Sequence, residues 1–266
     1  PYTNRHAGCA ILCSGKYFNL RNVQQIFAPP AAVQGRGGGI RLKGKHRGEN
    51  FDIAPTVGYN APPTTGSQKA THEQSNEITN KWMQNHLQSM PARTQPFLGA
   101  DLNTKMGITK AGNKWEAGTG EHNIGVPSSA GETWEQWLPN TGFGSATTMH
   151  KDAGPTFFSS KANGSTIDHF IAPMELCTKL KAVRPMVAAR RLQIIPDSQP
   201  RDHIPTIYSW EYNFPFQTKT FAEEERLVWD FDKLAACLQK GEGRLDFLRD
   251  IEKELTAIQT DMNNLA

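Results

Sequence analysis

The sequence predicts a layered α/β domain with a helical extension at its C-terminal end, and three observations carry that expectation. Over the first two-thirds of the chain, short apolar runs alternate with Gly- and Pro-rich loops, the pattern of strands stacked into layers. One polar stretch between two of these runs has the length and character of a helix. The 266 residues are 37% hydrophobic and 21% charged, enough to bury a core and too polar for a membrane protein.

In chain order, His6–Ser14 (HAGCAILCS) is apolar and compact and reads as a core strand. Gly38–Lys45 alternates Ile40 and Leu42 with Arg41 and Lys43, so it reads as a strand with one basic, solvent-facing side. With Arg47, the cations Arg41, Lys43 and Lys45 recur at every second residue and could track a phosphate backbone. Asn50–Asn60 reads as the antiparallel partner of that strand. A polar helix is expected over Ser67–Met90, with Ile78, Trp82, Leu87 and Met90 loosely on one face. Pro96–Asn103 (PFLGADLN) reads as a buried strand whose end presents polar residues. Similar steps recur at Gly154–Ser160, Ser165–Pro173 and Asp202–Trp210. Beyond Phe216 the period changes. Val228, Phe231, Leu234 and Leu238 mark one amphipathic helix, Leu245 to Met262 a second, and Gly241 and Gly243 the break between them.

Charge divides along the chain. Phe221–Ala266 holds eleven Asp/Glu against six Lys/Arg, a net of −5, which leaves +8 for Pro1–Thr220 out of the total of +3. A basic body with an acidic tail suits a polyanionic partner. No run of about 18 apolar residues exists, so a transmembrane helix is excluded. The opening PYTNRHAGCAIL lacks the basic-then-apolar order of a signal peptide, and an intracellular protein is expected. Cys9, Cys13, Cys177 and Cys237 form no C-x-x-C pair, and are read as reduced, mostly buried residues.

Asp101 and Asn103, Asp168 with His169, and Asp202 with His203 are each unremarkable alone, since such pairs commonly solvate turns. Their placement matters more. All three groups stand at or beside the ends of short apolar strands, where a sheet can converge acid, amide and imidazole on one point. Phosphodiester cleavage needs that mixture: a cation to offset phosphoryl charge, a base for the attacking water, and hydrogen-bond donors for the developing oxygens.

In order, the chain shows YNAPP (Tyr59–Pro63), GADLN (Gly99–Asn103), PNTGF (Pro139–Phe143), GPTFFSS (Gly154–Ser160), STIDHF (Ser165–Phe170) and RDHIP (Arg201–Pro205). This series resembles the endonuclease/exonuclease/phosphatase superfamily over His6–Trp210, with the closest likeness to the endonuclease domain of LINE-type, non-LTR retrotransposons. The resemblance implies a four-layer α/β/β/α sandwich of the DNase I-like type over residues 1–215, followed by a helical linker over 216–266 leading to a reverse transcriptase. It implies Mg2+, with Mn2+ as an alternative, and a nucleic-acid substrate, DNA in the nearest branch, cut in the nucleus if the chain is retroelement-derived. By the same resemblance, Asp101 orients or deprotonates water or protonates the leaving oxygen. Asn103 and Tyr59 bind phosphate, Asp168 polarises His203, and Asp202 lies beside the metal. His169 is a packing residue. For Tyr59 a buried strand tyrosine is an equal alternative.

Departures from the pattern are Ala100 for a second Gly or an apolar residue, a trivial change, Arg201 for Ser and Phe157 for Trp. The family's strand ending in Asn and its strand ending in a metal-binding Glu both precede the strand matched by GCAIL. Neither has a counterpart here, and Glu49 falls too late in the order. The expectation is therefore an N-terminally truncated, impaired endonuclease. An apurinic repair nuclease or small-phosphate phosphatase, and an inactive nucleic-acid-binding remnant, are the alternatives. Target preference is expected in surface loops such as Lys105–Val126.

Overall fold

The computed structural model describes residues 8–46, 48–107, 118–159, 164–192 and 202–211. The chain divides into two compact units, Pro1–Phe216 and Gln217–Ala266. The second unit, with the helical hairpin expected there, lies outside the described residues, as do Arg47, Arg201 and part of the Lys105–Val126 loop.

Six strands form the main sheet: β1 (Val23–Phe27), β2 (Gly37–His46), β3 (Glu49–Tyr59), β4 (Gln95–Asp101), β5 (Phe143–Ser145) and, later in the chain, β8 (Asp168–Pro173). The short pair β6 (Phe157–Phe158) and β7 (Gly164–Ser165) precedes β8, and β9 (Leu180–Pro185) pairs with β10 (Thr206–Trp210). The main sheet has the order β1-β2-β3-β4-β8-β5. Its β3–β4 pair is parallel, joined by the helix α1 (Lys69–Gln88), and its other pairs are antiparallel. A second long helix, α2 (Ser129–Thr141), and two short ones, α3 (Ala146–Met149) and α4 (Met174–Thr178), are the other α-helices among the described residues.

The pleat sorts side chains to two faces of this sheet. Leu98 and Ala100 of β4 join Met83, Leu87, Trp134 and Leu138 in a core beneath α1 and α2. Phe97, on the opposite face, packs with Phe170 of β8 and with Tyr208 and Trp210 of β10 in a second core. Helices therefore cover one face and the β9–β10 hairpin covers part of the other. Close helix packing relies on glycine: a Cβ at Gly58 would stand 2.1 Å from Met83 Sδ and one at Gly37 2.6 Å from the Trp82 ring.

Three expectations need correction. His6–Ser14 is no strand where it is described, from Gly8 on, and Leu12 is 95% exposed. An apolar run pairs only where an edge is open, and β2, β3, β4 and β8 each already have two neighbours. The cysteines are not mostly buried: Cys177 is, but Cys9 is half-buried and Cys13 exposed. On the basic side of β2, Lys43 and Lys45 are exposed as expected, but Arg41 is not. Arg41 shares the helix-covered face with Gly37 and Gly39, and its guanidinium binds Asp52 through two hydrogen bonds of 2.8 and 2.6 Å. Asp52 also accepts from Thr94 and Arg93, so this buried carboxylate is saturated and its pKa lies below the ordinary value, against the opposing effect of burial.

Candidate active site

Three strand ends build the site. In the register of the sheet Tyr59 of β3 pairs with Asp101 of β4, and Asp101 pairs with Asp168 of β8, so their side chains form one row across the sheet. The row lies on the same face as Phe97 and Phe170, not on the helix face. One rung nearer the core stand Val57, Gly99 and Phe170, and a Cβ at Gly99 would meet nothing within 4 Å, which keeps the floor open. The resulting cleft, about 710 Å³, is lined among others by Tyr59, Asp101, Asp168, His203, Tyr208 and Trp210.

His203 closes the row from above, its Nδ1 at 3.1 Å from Asp168 Oδ2. That hydrogen bond raises the imidazole pKa to about 9 despite burial, with the charges of Asp168, Asp101 and Asp202 adding to it. Asp101 is perturbed the other way for an acid: burial first, then the negative charge of Asp168, lifts it to about 7. Ligand atoms of Asp101, Asp168 and His203 all lie within 4.8 Å of one another. Asp202, expected beside a metal, is not in that group; it acts on Asp101 and His203 through its charge. Glu49 and Asp52 are remote. They precede Tyr59 on β3 by ten and seven residues, about 33 and 23 Å at ~3.3 Å per residue.

Asn103 sits at φ 47°, a left-handed conformation that Asn tolerates better than most residues, and its N–H donates to Asp101 Oδ1 at 3.0 Å. Its Nδ2 donates to the Asn60 carbonyl at 2.7 Å, so half of the amide is structural. Tyr59 is half-buried, and burial followed by the charge of Asp101 keeps its phenol above the ordinary pKa. His169 is buried on the other face, with its ring nitrogens bonded to Ser145 Oγ and the Thr104 carbonyl.

Residues that motif reading left unassigned hold these groups in place. Asn60 is fully buried, and its Nδ2 donates to Asn80 Oδ1 of α1 and to the Leu102 carbonyl; Asn80 Oδ1 also accepts from the Trp134 indole of α2. Thr156 joins the two loops that carry Asp168 and His203. Its Oγ1 accepts from Ile167 N and Asp168 N at 3.2 and 3.1 Å, and its carbonyl accepts from Ile204 N at 2.7 Å. Phe157 bridges to His203, with the rings 5.2 Å apart, edge to face. The TFF triplet was visible in the sequence, but its job as a clamp was not. Thr156→Val, similar in shape without the hydroxyl, should leave two amides unpaired and cost about 1–3 kcal/mol in urea unfolding. An unchanged midpoint would show that the hydroxyl holds nothing.

No family model matches the chain, and no curated protein matches it. Solved structures of related shape include a 3'-5' exonuclease (NExo) from Neisseria meningitidis, 18% identical over 71% of this chain and 72% of that one, TM-score 0.48. An AP endonuclease from Archaeoglobus fulgidus is 12% identical over 71% and 72%, TM-score 0.46. The endonuclease domain of TRAS1, a telomere-specific non-LTR retrotransposon, is 14% identical over 73% and 71%, TM-score 0.42. The main sheet of this chain mixes one parallel pair with antiparallel ones, and among the described residues no helix is long and apolar enough to cross a membrane.

Proposed function

We propose that this chain is a metal-dependent phosphodiesterase acting on nucleic acid, and that DNA nicking is its reaction. The observation that carries this reading is the row Tyr59, Asp101, Asp168 with His203 bonded to Asp168 above it. A cationic imidazole held by a carboxylate is a fixed donor for phosphoryl oxygens, and its charge complements the charge that develops there. Asp101, with a pKa near 7, can exchange a proton with water or a leaving oxygen at neutral pH. The Tyr59 phenol borders this cleft and orients the substrate, and the Asn103 amide oxygen, held beside Asp101 by the Asn103 N–H, takes a phosphate oxygen.

The donor set fits a hard divalent cation. Asp101 and Asp168 supply carboxylate oxygens of the type magnesium takes, and their crowding, visible in the raised pKa of Asp101, is what a cation between them would relieve. When bound, the ion would offset phosphoryl charge and acidify water. His203, protonated and engaged by Asp168, is the donor to substrate rather than a ligand. With Asp202 outside the cluster, few carboxylates localise the ion, so turnover should be slow and need millimolar magnesium. The motif order around STIDHF and GPTFFSS supports, as the finer reading, a retroelement-type endonuclease working ahead of a reverse transcriptase.

The test is nicking of supercoiled plasmid with millimolar Mg2+ or Mn2+. Activity should vanish on chelation and return with metal, and Asp101→Asn should reduce it about a hundredfold or more. Nicking that survives both the chelator and Asp101→Asn would end this reading.

A further inference from the structure

The polar row does not stop at Tyr59. The Tyr59 N–H donates to the Arg36 carbonyl at 2.8 Å, continuing the β2–β3 pairing one rung beyond Gly37 and Gly58, so Arg36 stands beside Tyr59 as Tyr59 stands beside Asp101. A turn delivers it there: Arg36 N donates to the Val33 carbonyl at 3.0 Å, and Gly35 takes φ 86°, which a side chain would strain. The guanidinium carbon lies 5.6 Å from the centroid of the Tyr59 ring, over its face. Its charge reaches into the site, lowering the pKa of both Tyr59 and Cys9 against the dominant effect of burial. Yet Nη1 is buried with no hydrogen-bond partner among the described residues. A guanidinium carries five donors and is normally matched to an acid or phosphate when removed from water.

Among the described residues no carboxylate on this face takes that role: Asp52, the acid that pairs with a β2 arginine, is on the opposite face and saturated by Arg41, Arg93 and Thr94. Arg36 is two strands from Asp101, roughly 10 Å at ~4.8 Å per strand. That is too far for the phosphate being cut between Asp101 and His203, and within reach of a neighbouring one on the same strand. Lys43 and Lys45 of β2 project from the opposite face of the sheet, where both are exposed, and cannot substitute.

We propose that Arg36 is a substrate-binding residue that holds a phosphate flanking the scissile one, so that the row Arg36, Tyr59, Asp101, Asp168 follows a polynucleotide strand. The preferred substrate is then an internal phosphodiester with phosphates on both sides, not an isolated diester or a terminal phosphate. This rests on the phosphodiesterase reading above, and the test separates the two.

Arg36→Met keeps the aliphatic stem over Tyr59 and removes the charge, and Arg36→Lys restores a charge without the planar fork. Each is compared with the parent on a duplex oligonucleotide and on bis(p-nitrophenyl) phosphate, a diester with no neighbouring phosphate. Duplex binding is also measured without metal across a salt series, with thermal unfolding as the check on folding. Arg36→Met should raise KM on the duplex roughly tenfold and reduce the slope of log Kd against log salt by about one. It should lower hydrolysis of the small diester far less than that of the duplex, and Arg36→Lys should recover the slope and only part of the KM. An unchanged duplex KM and salt slope, or equal losses on both substrates, would overturn the proposal. If the parent cleaves neither substrate, the phosphodiesterase reading fails. The metal-free salt slope then still decides whether Arg36 contacts a phosphate strand.

Discussion

Replacing His203 with Ala should lower single-turnover phosphodiester cleavage by about 10²–10⁴, and replacing Asp168 with Asn should cost nearly as much. The two residues act as one unit. Asp168 Oδ2 accepts from the imidazole at 3.1 Å, and that contact is the largest cause of the raised pKa that keeps His203 cationic. Without the carboxylate the ring loses both its orientation and much of its charge; without the ring the carboxylate has nothing to hold. The double variant His203→Ala with Asp168→Asn should therefore be no slower than the worse single one, where independent residues would multiply their losses. Multiplicative losses would show that the two side chains act independently, and the role of Asp168 in holding His203 would have to be withdrawn.

The second large effect concerns stability in acid. His86 of α1 is buried, stacked on Trp82 with ring centroids 5.6 Å apart and 4.3 Å from Phe27, and its Nε2 has no hydrogen-bond partner among the described residues. Burial alone depresses its pKa from 6.5 to about 4. The unfolded chain therefore binds a proton on this residue near pH 6.5 while the folded one does so only near pH 4. Above the higher value both forms are neutral and nothing is lost. As pH falls through that window the unfolded state gains a proton the native state cannot match, and stability declines, by an upper bound of roughly 3 kcal/mol at 1.36 kcal/mol per unit. His86→Phe, which keeps a ring against Trp82 and cannot titrate, should escape this decline. Urea unfolding of the two proteins at pH 7 and pH 4.5 should differ in its pH dependence by about 2 kcal/mol. Parallel curves would mean that the native state accommodates imidazolium at this position.

Much of this architecture was legible because periodicity reports burial. The alternation in β2 and the compact apolar step of β4 mark strands on sight, and the sheet follows from them. Motif order located the acids and the imidazole because strand ends are where a sheet delivers polar groups to one point. The sequence was less informative about which face a residue joins. Arg41 and Lys43 look like one solvent-facing stripe until Asp52, eleven residues from Arg41 and across the strand pair, is seen to take Arg41's charge. Of Ile78, Trp82, Leu87 and Met90, which follow one face of α1 only loosely, Leu87 is buried, and the rest of the buried face is Thr79, Asn80, Met83 and His86. Hydrophobicity could not reveal that face, since Asn80 is buried in order to hold Asn60 and Trp134. The apolar run after His6 misled for the opposite reason: composition says what a segment could pair with, and only the sheet order says whether an edge is open to it.

The arrangement of the row has a consequence for how such a chain can change over time. Tyr59, Asp101 and Asp168 come from three separate strands and meet because each is the same number of residues from its neighbour's anchoring pairs. In a strand, parity decides the face, so one residue gained or lost within β4 would turn Asp101 toward α1 and bring Ala100 into the cleft. Loops can lengthen freely while the strands behave like a reading frame. Variation between copies of this gene should accumulate as insertions between strands, and a single-codon indel inside β4 should erase the site while leaving most of the fold in place.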